Sequence, residues 1–88
     1  MAKYVIEGRK WFDKMNGNTY HSVRIYRVKD NELIYNSGMT YGYGDQYRHT
    51  AYDWLVKKKL VKEKDRSNHA LNRKRFLYIV KDVLKRDL

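Results

Sequence analysis

The sequence predicts an α+β fold: a three-stranded antiparallel meander, one amphipathic helix laid across it, and a C-terminal strand that completes the sheet. Three observations lead there. Polar and apolar residues alternate through the first half of the chain, a helical stripe follows a glycine-bearing loop, and Phe76-Leu77-Tyr78-Ile79-Val80 is rich in residues that suit a pleated surface. With 88 residues, residues 1–88 make a single domain, since a chain this short has no room for a second core.

The elements follow in order. Lys3 to Phe12 carries Tyr4, Ile6 and Phe12 on one parity and Val5 and Trp11 on the other, the signature of a strand. Asn16-Gly17 is the dipeptide best suited to positive φ at both positions of a tight hairpin turn. Thr19 to Val28 alternates again, with Val23 and Ile25 opposite Tyr20, Ser22, Arg24 and Tyr26. Asp30-Asn31 makes a second turn and Glu32 to Asn36 a third short strand. Gly38 to Gly44 is loop, with an extended piece over Met39 to Tyr43, and Asp45 is placed to cap the helix that follows. Tyr47, Ala51, Trp54, Leu55 and Val61 recur at helical spacing, so the helix is expected over about 45–62. Glu63 to Leu71 reads as a polar connector. The closing segment, about 76–84, reads as a strand, with a helix as the alternative, because Phe76, Ile79, Val80, Val83 and Leu84 also fit a helical stripe. The expected core is Ile6, Val23, Ile25, Leu33, Ala51, Trp54, Leu55 and Ile79.

Nine Tyr and two Trp supply bulky core material, which argues for a folded chain although 34% of the residues are charged. The absence of cysteine removes disulfides, thiolate metal sites and cysteine nucleophiles together, and suits a reducing compartment. Met1-Ala2-Lys3-Tyr4 does not begin a secretory signal, and the longest apolar run, Phe76 to Val80, is far too short to span a membrane. A cytoplasmic location without membrane attachment is the expectation.

Three strings carry a resemblance: Trp11-Phe12 with Asn16-Gly17-Asn18-Thr19-Tyr20-His21-Ser22-Val23-Arg24; Tyr41-Gly42-Tyr43-Gly44-Asp45-Gln46-Tyr47; and Val80-Lys81-Asp82-Val83 before Lys85-Arg86-Asp87-Leu88. Together they resemble a group of small uncharacterised proteins of phages and related mobile elements. The resemblance spans both ends and the middle but not the segment between helix and last strand, and it transfers no activity and no functional residue. It implies that the ending is a strand and that the setting is a virus or its host.

Catalytic patterns are weak. Gly42-Tyr43-Gly44 before a helix suggests a phosphate-cradling loop, but Tyr47 stands where the dinucleotide fingerprint has its third glycine, and no βαβ unit surrounds it. The alternative is a tight bend that admits Tyr41, Tyr43 and Tyr47 to packing. His21, His49 and His69 fall on three separate elements without ligand spacing, so structural or solvent-facing roles are expected and no metal or other cofactor is called for. Ser22 and His21 are neighbours on a strand and point to opposite faces, which suits no nucleophile–base pair. The chain is therefore not expected to be an enzyme.

The charge pattern speaks more clearly. The formal net charge is +10, and Lys57 to Arg75 contains nine Lys or Arg against Glu63 and Asp65 alone. A cluster made of Lys57, Lys58, Lys59, Lys62, Lys64, Arg66, Arg73, Lys74 and Arg75 would neutralise phosphates, release counterions and give salt-sensitive binding to nucleic acid. Its alternative is a solvated surface that maintains solubility. Tyr20, Arg24 and Tyr26 form a second candidate surface, because Arg forks onto guanine or phosphate and Tyr stacks on bases; the alternative is that these tyrosines pack on Trp11 or the last strand. Some recombinase arm domains read a DNA groove with a three-stranded sheet backed by one helix, an analogy of fold alone. The expected function is nucleic-acid binding without catalysis, DNA ahead of RNA. Its rival is a viral or mobile-element protein that modulates a host protein by meeting an acidic surface.

Overall fold

A computed structural model describes residues 2–42 and 44–88. The chain forms β1 (Tyr4–Asp13), β2 (Asn18–Arg27), β3 (Glu32–Asn36), β4 (Thr40–Tyr41), α1 (Gln46–Lys57), α2 (His69–Arg75) and β5 (Phe76–Asp82), with single 3-10 turns at Glu63–Asp65 and Lys85–Asp87. The strands make one mixed sheet in the order β3-β2-β1-β5, with β4 paired to the other half of β2. The fold is α+β, and its meander of β1, β2 and β3 is antiparallel, but β5 lies parallel to β1 and a second helix precedes it.

Both hairpin loops are longer than a two-residue turn. Asp13 pairs with Asn18, and only Gly17, not Asn16, takes positive φ (68°). The Asp13 carboxylate accepts from the amides of Met15 (3.0 Å) and Asn16 (3.3 Å), so it satisfies the loop and removes the need for the tighter turn. Asn31 (φ 54°) does the same left-handed service in the second loop, beside the Arg27 bridge to Asp30 and Glu32.

The first helix ends at Lys57, five residues before the expected Lys62. Lys59 adopts φ 61°, and the Leu60 amide reaches back to the Leu55 carbonyl at 2.9 Å, a Schellman closure formed without glycine. Asp45 precedes the helix, yet its side chain makes no capping bond; the Arg48 amide bonds the Asp45 backbone carbonyl instead. The polar connector is more ordered than expected. Asn68 caps α2 by accepting from the Leu71 amide at 3.1 Å. The buried Asn72 then donates to the carbonyls of Asp65 (3.2 Å) and Arg66 (3.1 Å), tying α2 to the preceding turn. The last segment is a strand, 76–82 rather than 76–84, and not a helix.

The core lies between α1 and one sheet face: Ile6, Val23, Ile25, Tyr47, Ala51, Tyr52, Leu55, Val61 and Phe76. Leu33 and Ile79 are not in it, and Trp54 packs against its edge only half-buried. Register pairs Leu33 with Tyr26 and Ile79 with Glu7, on the face away from the helix, where they are 45% and 41% exposed. The register shift between Ile25 and Tyr26 brings Ile34 and Tyr35 towards the helix instead, and Tyr35 stacks on the half-buried Trp54 at 4.6 Å. Tyr41 is exposed, Tyr47 is buried, and the role given to Tyr43 lies outside the described residues.

His21 is buried on the helix side of β2. A carbonyl can only accept, so Nδ1 donates to the Gly42 carbonyl (3.3 Å) and Nε2 faces the Thr50 hydroxyl (2.8 Å). Burial lowers its pKa from the ordinary 6.5, partly offset by the Gly42 bond. The unfolded chain therefore holds this proton more readily, so His21 stabilises the fold above the ordinary value, and the gain is lost as pH falls through the folded value. Thermal melts are expected to show Tm falling between about pH 7.5 and 5.5, with a flatter profile in His21→Gln; equal slopes in the two proteins would assign the dependence elsewhere.

Candidate functional site

The nine cations from Lys57 to Arg75 do not play one part. Arg66 and Arg75 are built into the structure. Arg66 Nε donates to Glu63 Oε1 at 2.8 Å and its NH2 group bridges Glu63 and Asp53, which keeps the guanidinium firmly protonated. Arg75 donates to Asn72 Oδ1 (3.0 Å) and to the Tyr52 hydroxyl (2.9 Å). Lys57, Lys58, Lys59, Lys62, Lys64, Arg73 and Lys74 are exposed, and none forms an ion pair among the described residues.

What gathers them is Tyr52. Its hydroxyl donates to the Lys62 carbonyl at 2.7 Å and accepts from Arg75, while the Arg66 guanidinium lies 4.8 Å from its ring centroid and Phe76 meets the ring edge-on. Helix α1, the 62–66 turn and the α2–β5 junction are thereby locked around one side chain. The charges, separated by the end of a helix, a turn and a second helix, belong to a single folded unit.

Tyr20, Arg24 and Tyr26 stand apart from it. They alternate with His21, Val23 and Ile25 along β2, and the latter face the helix, so the two candidate surfaces lie on opposite sides of the sheet. On the open side Tyr20 stacks on Trp11 (5.9 Å) and meets Tyr41 edge-on (5.7 Å). Arg24 lies 4.0 Å from Glu7, whose carboxylate also takes Arg9 at 2.6 Å and Lys81 at 3.9 Å. These cations are therefore partly neutralised. Ser22, fully buried between them, leaves its hydroxyl without a hydrogen-bond partner among the described residues.

A recess of about 450 Å³ opens between α1, α2 and β5, lined by Arg48, Arg66, Arg73, His49 and His69 over an aromatic floor that includes Tyr78. The Arg48 guanidinium lies 4.1 Å from the Tyr78 ring centroid and its Nε donates to the Tyr47 hydroxyl at 3.2 Å. Burial raises the Tyr78 pKa against the opposing pull of Arg48, so its hydroxyl stays neutral. The sequence reading gave His49 and His69 structural or solvent-facing roles and gave Arg48 none. His69 and Arg73 share a helix face only once the segment from His69 is taken as helix, and nothing local aligns Arg48 and His49 with them.

Among the described residues no group of three or more His, Cys, Asp or Glu side chains could hold a metal ion, and no helix is long and apolar enough to cross a membrane. Comparison with family models, with curated proteins and with solved structures gives no match.

Proposed function

We propose that the protein binds nucleic acid without catalysing a reaction on it, through phosphate contacts from Lys57, Lys58, Lys59, Lys62, Lys64, Arg73 and Lys74. The observation that carries this reading is that these seven are exposed and unneutralised by described ion pairs on one locked unit, whereas Arg66 and Arg75 hold that unit together. Exposed cations spread over one folded unit favour a long polyanion, because each phosphate neutralised frees condensed counterions. DNA is the first partner to test. Tyr20, Arg24 and Tyr26, on the far side of the sheet, are not part of this interface.

Fluorescence anisotropy with single-stranded and duplex DNA, at low and near-physiological salt, tests the reading. Micromolar or tighter binding at low salt is expected, weakening roughly a thousand- to ten-thousandfold between about 50 and 200 mM salt. Absence of binding at low salt overturns it and favours the rival, in which the same cations meet an acidic surface of a host protein in a viral or mobile-element setting.

A further inference from the structure

Six of the seven exposed cations suit a polyanion's continuous backbone; the seventh, Arg73, lines the recess between α1, α2 and β5, which has a different shape and chemistry. Its volume of about 450 Å³ falls within the range of small-ligand sites. Three elements border it and it stays open to solvent on one side, so a compact anion can be met from several directions at once. Three guanidiniums and two imidazoles line it against the single carboxylate of Asp45. Arg66 is committed to Glu63 and Asp53, but Arg73 donates to no described side chain, and Arg48 spends only its Nε, on Tyr47. The Arg48–Asp45 separation of 3.9 Å is too long for a hydrogen bond, so the terminal nitrogens of Arg48 remain available. Packing over Tyr78 holds its guanidinium plane.

We propose that this recess binds a phosphate monoester, with Arg48 and Arg73 forking onto the phosphate oxygens and His49 and His69 within its rim. Guanidinium forks match the geometry of phosphate oxygens, and a monoester presents more charge and more free oxygens than an internal phosphodiester. The source is the terminal phosphate of a strand or a free nucleotide. The strand form rests on the nucleic-acid reading above and turns the recess into a reader of strand ends beside a patch that holds the rest of the chain.

The test compares two otherwise identical single-stranded oligonucleotides, one with a 5′-phosphate and one with a 5′-hydroxyl, and a nucleoside monophosphate alone. A preference of about tenfold for the phosphorylated strand is expected. Arg73→Gln should bring the ratio close to one, and Asp45→Asn should raise it, because that exposed carboxylate makes no capping bond, draws charge from Arg48 at 3.9 Å and opposes the anion. Competition by the free monophosphate against the phosphorylated strand alone supports the site and identifies a free nucleotide as an equal source. Equal binding of both strands with no response to the monophosphate overturns the recess and leaves the nucleic-acid reading intact. Monophosphate binding without binding of either strand, followed by NMR shifts at His49 and His69, supports the recess and overturns the patch.

Discussion

Gly8→Val is expected to abolish cooperative folding or to cost roughly 3 kcal/mol or more, a large share of the stability of a domain this size. Gly8 sits in β1 between Val23 of β2 and Val80 of β5, on the face that α1 covers. A Cβ there would stand 2.5 Å from both Cγ and Cδ2 of Tyr47. The ring has nowhere to go: Tyr47 is 2% exposed, meets Tyr78 edge-on at 6.5 Å, and accepts a hydrogen bond from Arg48. Relief therefore requires lifting the first turn of α1 from the sheet, which also uncovers Ile6 and Val23. Gly17→Ala is the control, since its φ of 68° costs backbone strain but an added Cβ meets nothing within 4 Å; about 1 kcal/mol is expected there. Urea unfolding followed by circular dichroism compares them. A Gly8→Val protein as stable as Gly17→Ala would show that Tyr47 is held loosely and that the glycine is not what seats the helix.

That close approach illustrates what the sequence leaves unsaid. The strands were legible because β2 alternates plainly and each hairpin loop contains Asp, Asn or Gly residues that favour turns. The buried stripe of α1 was legible in Tyr47, Ala51 and Leu55. Its end was not, because Lys59 enters the left-handed region without glycine and nothing local announces it. Helix α2 was hidden for a related reason: it spans only His69–Arg75 and runs directly into β5 at Phe76, with no breaker between them. Leu33 and Ile79 were misplaced because a single register shift at Ile25/Tyr26, and the pairing of Ile79 with Glu7, decide which face they occupy.

The candidate site divides along the same line. Its charge could be counted from composition, but its division of labour could not. Arg66 and Arg75 look like Lys64 and Lys74 in a sequence, yet the arginines, with planar forks, bridge carboxylates, an amide and a phenol, while the lysines stay in water. The choice follows from Tyr52 and Asn72, which read as ordinary polar or aromatic residues until the chain folds around them.

This division separates the cations that bind from those that hold the fold. Changing Lys57, Lys58 and Lys59 together to Gln should weaken DNA binding about a hundredfold near physiological salt and lower the slope of log K against log salt by roughly 2–3, one counterion-release increment for each phosphate no longer neutralised. The three side chains are exposed and without described ion pairs, so the melting temperature should hold: substitutions at such positions generally stay within about 0.5 kcal/mol. Arg24→Gln is the matched comparison. It removes a cation on the opposite side of the sheet, one already 4.0 Å from Glu7, and should leave both affinity and slope where they were. Arg66→Gln separates binding from structure in the other direction: it leaves Asp53 and Glu63 without their guanidinium, so it should lower stability, and any loss of binding should be recovered at lower temperature. Anisotropy titrations at four salt concentrations, run beside melts of each variant, distinguish these outcomes. If the triple lysine variant keeps the parental slope while Arg24→Gln reduces it, the phosphates lie against the open face of the sheet, and the exposed cations that close α1 are a solvated surface.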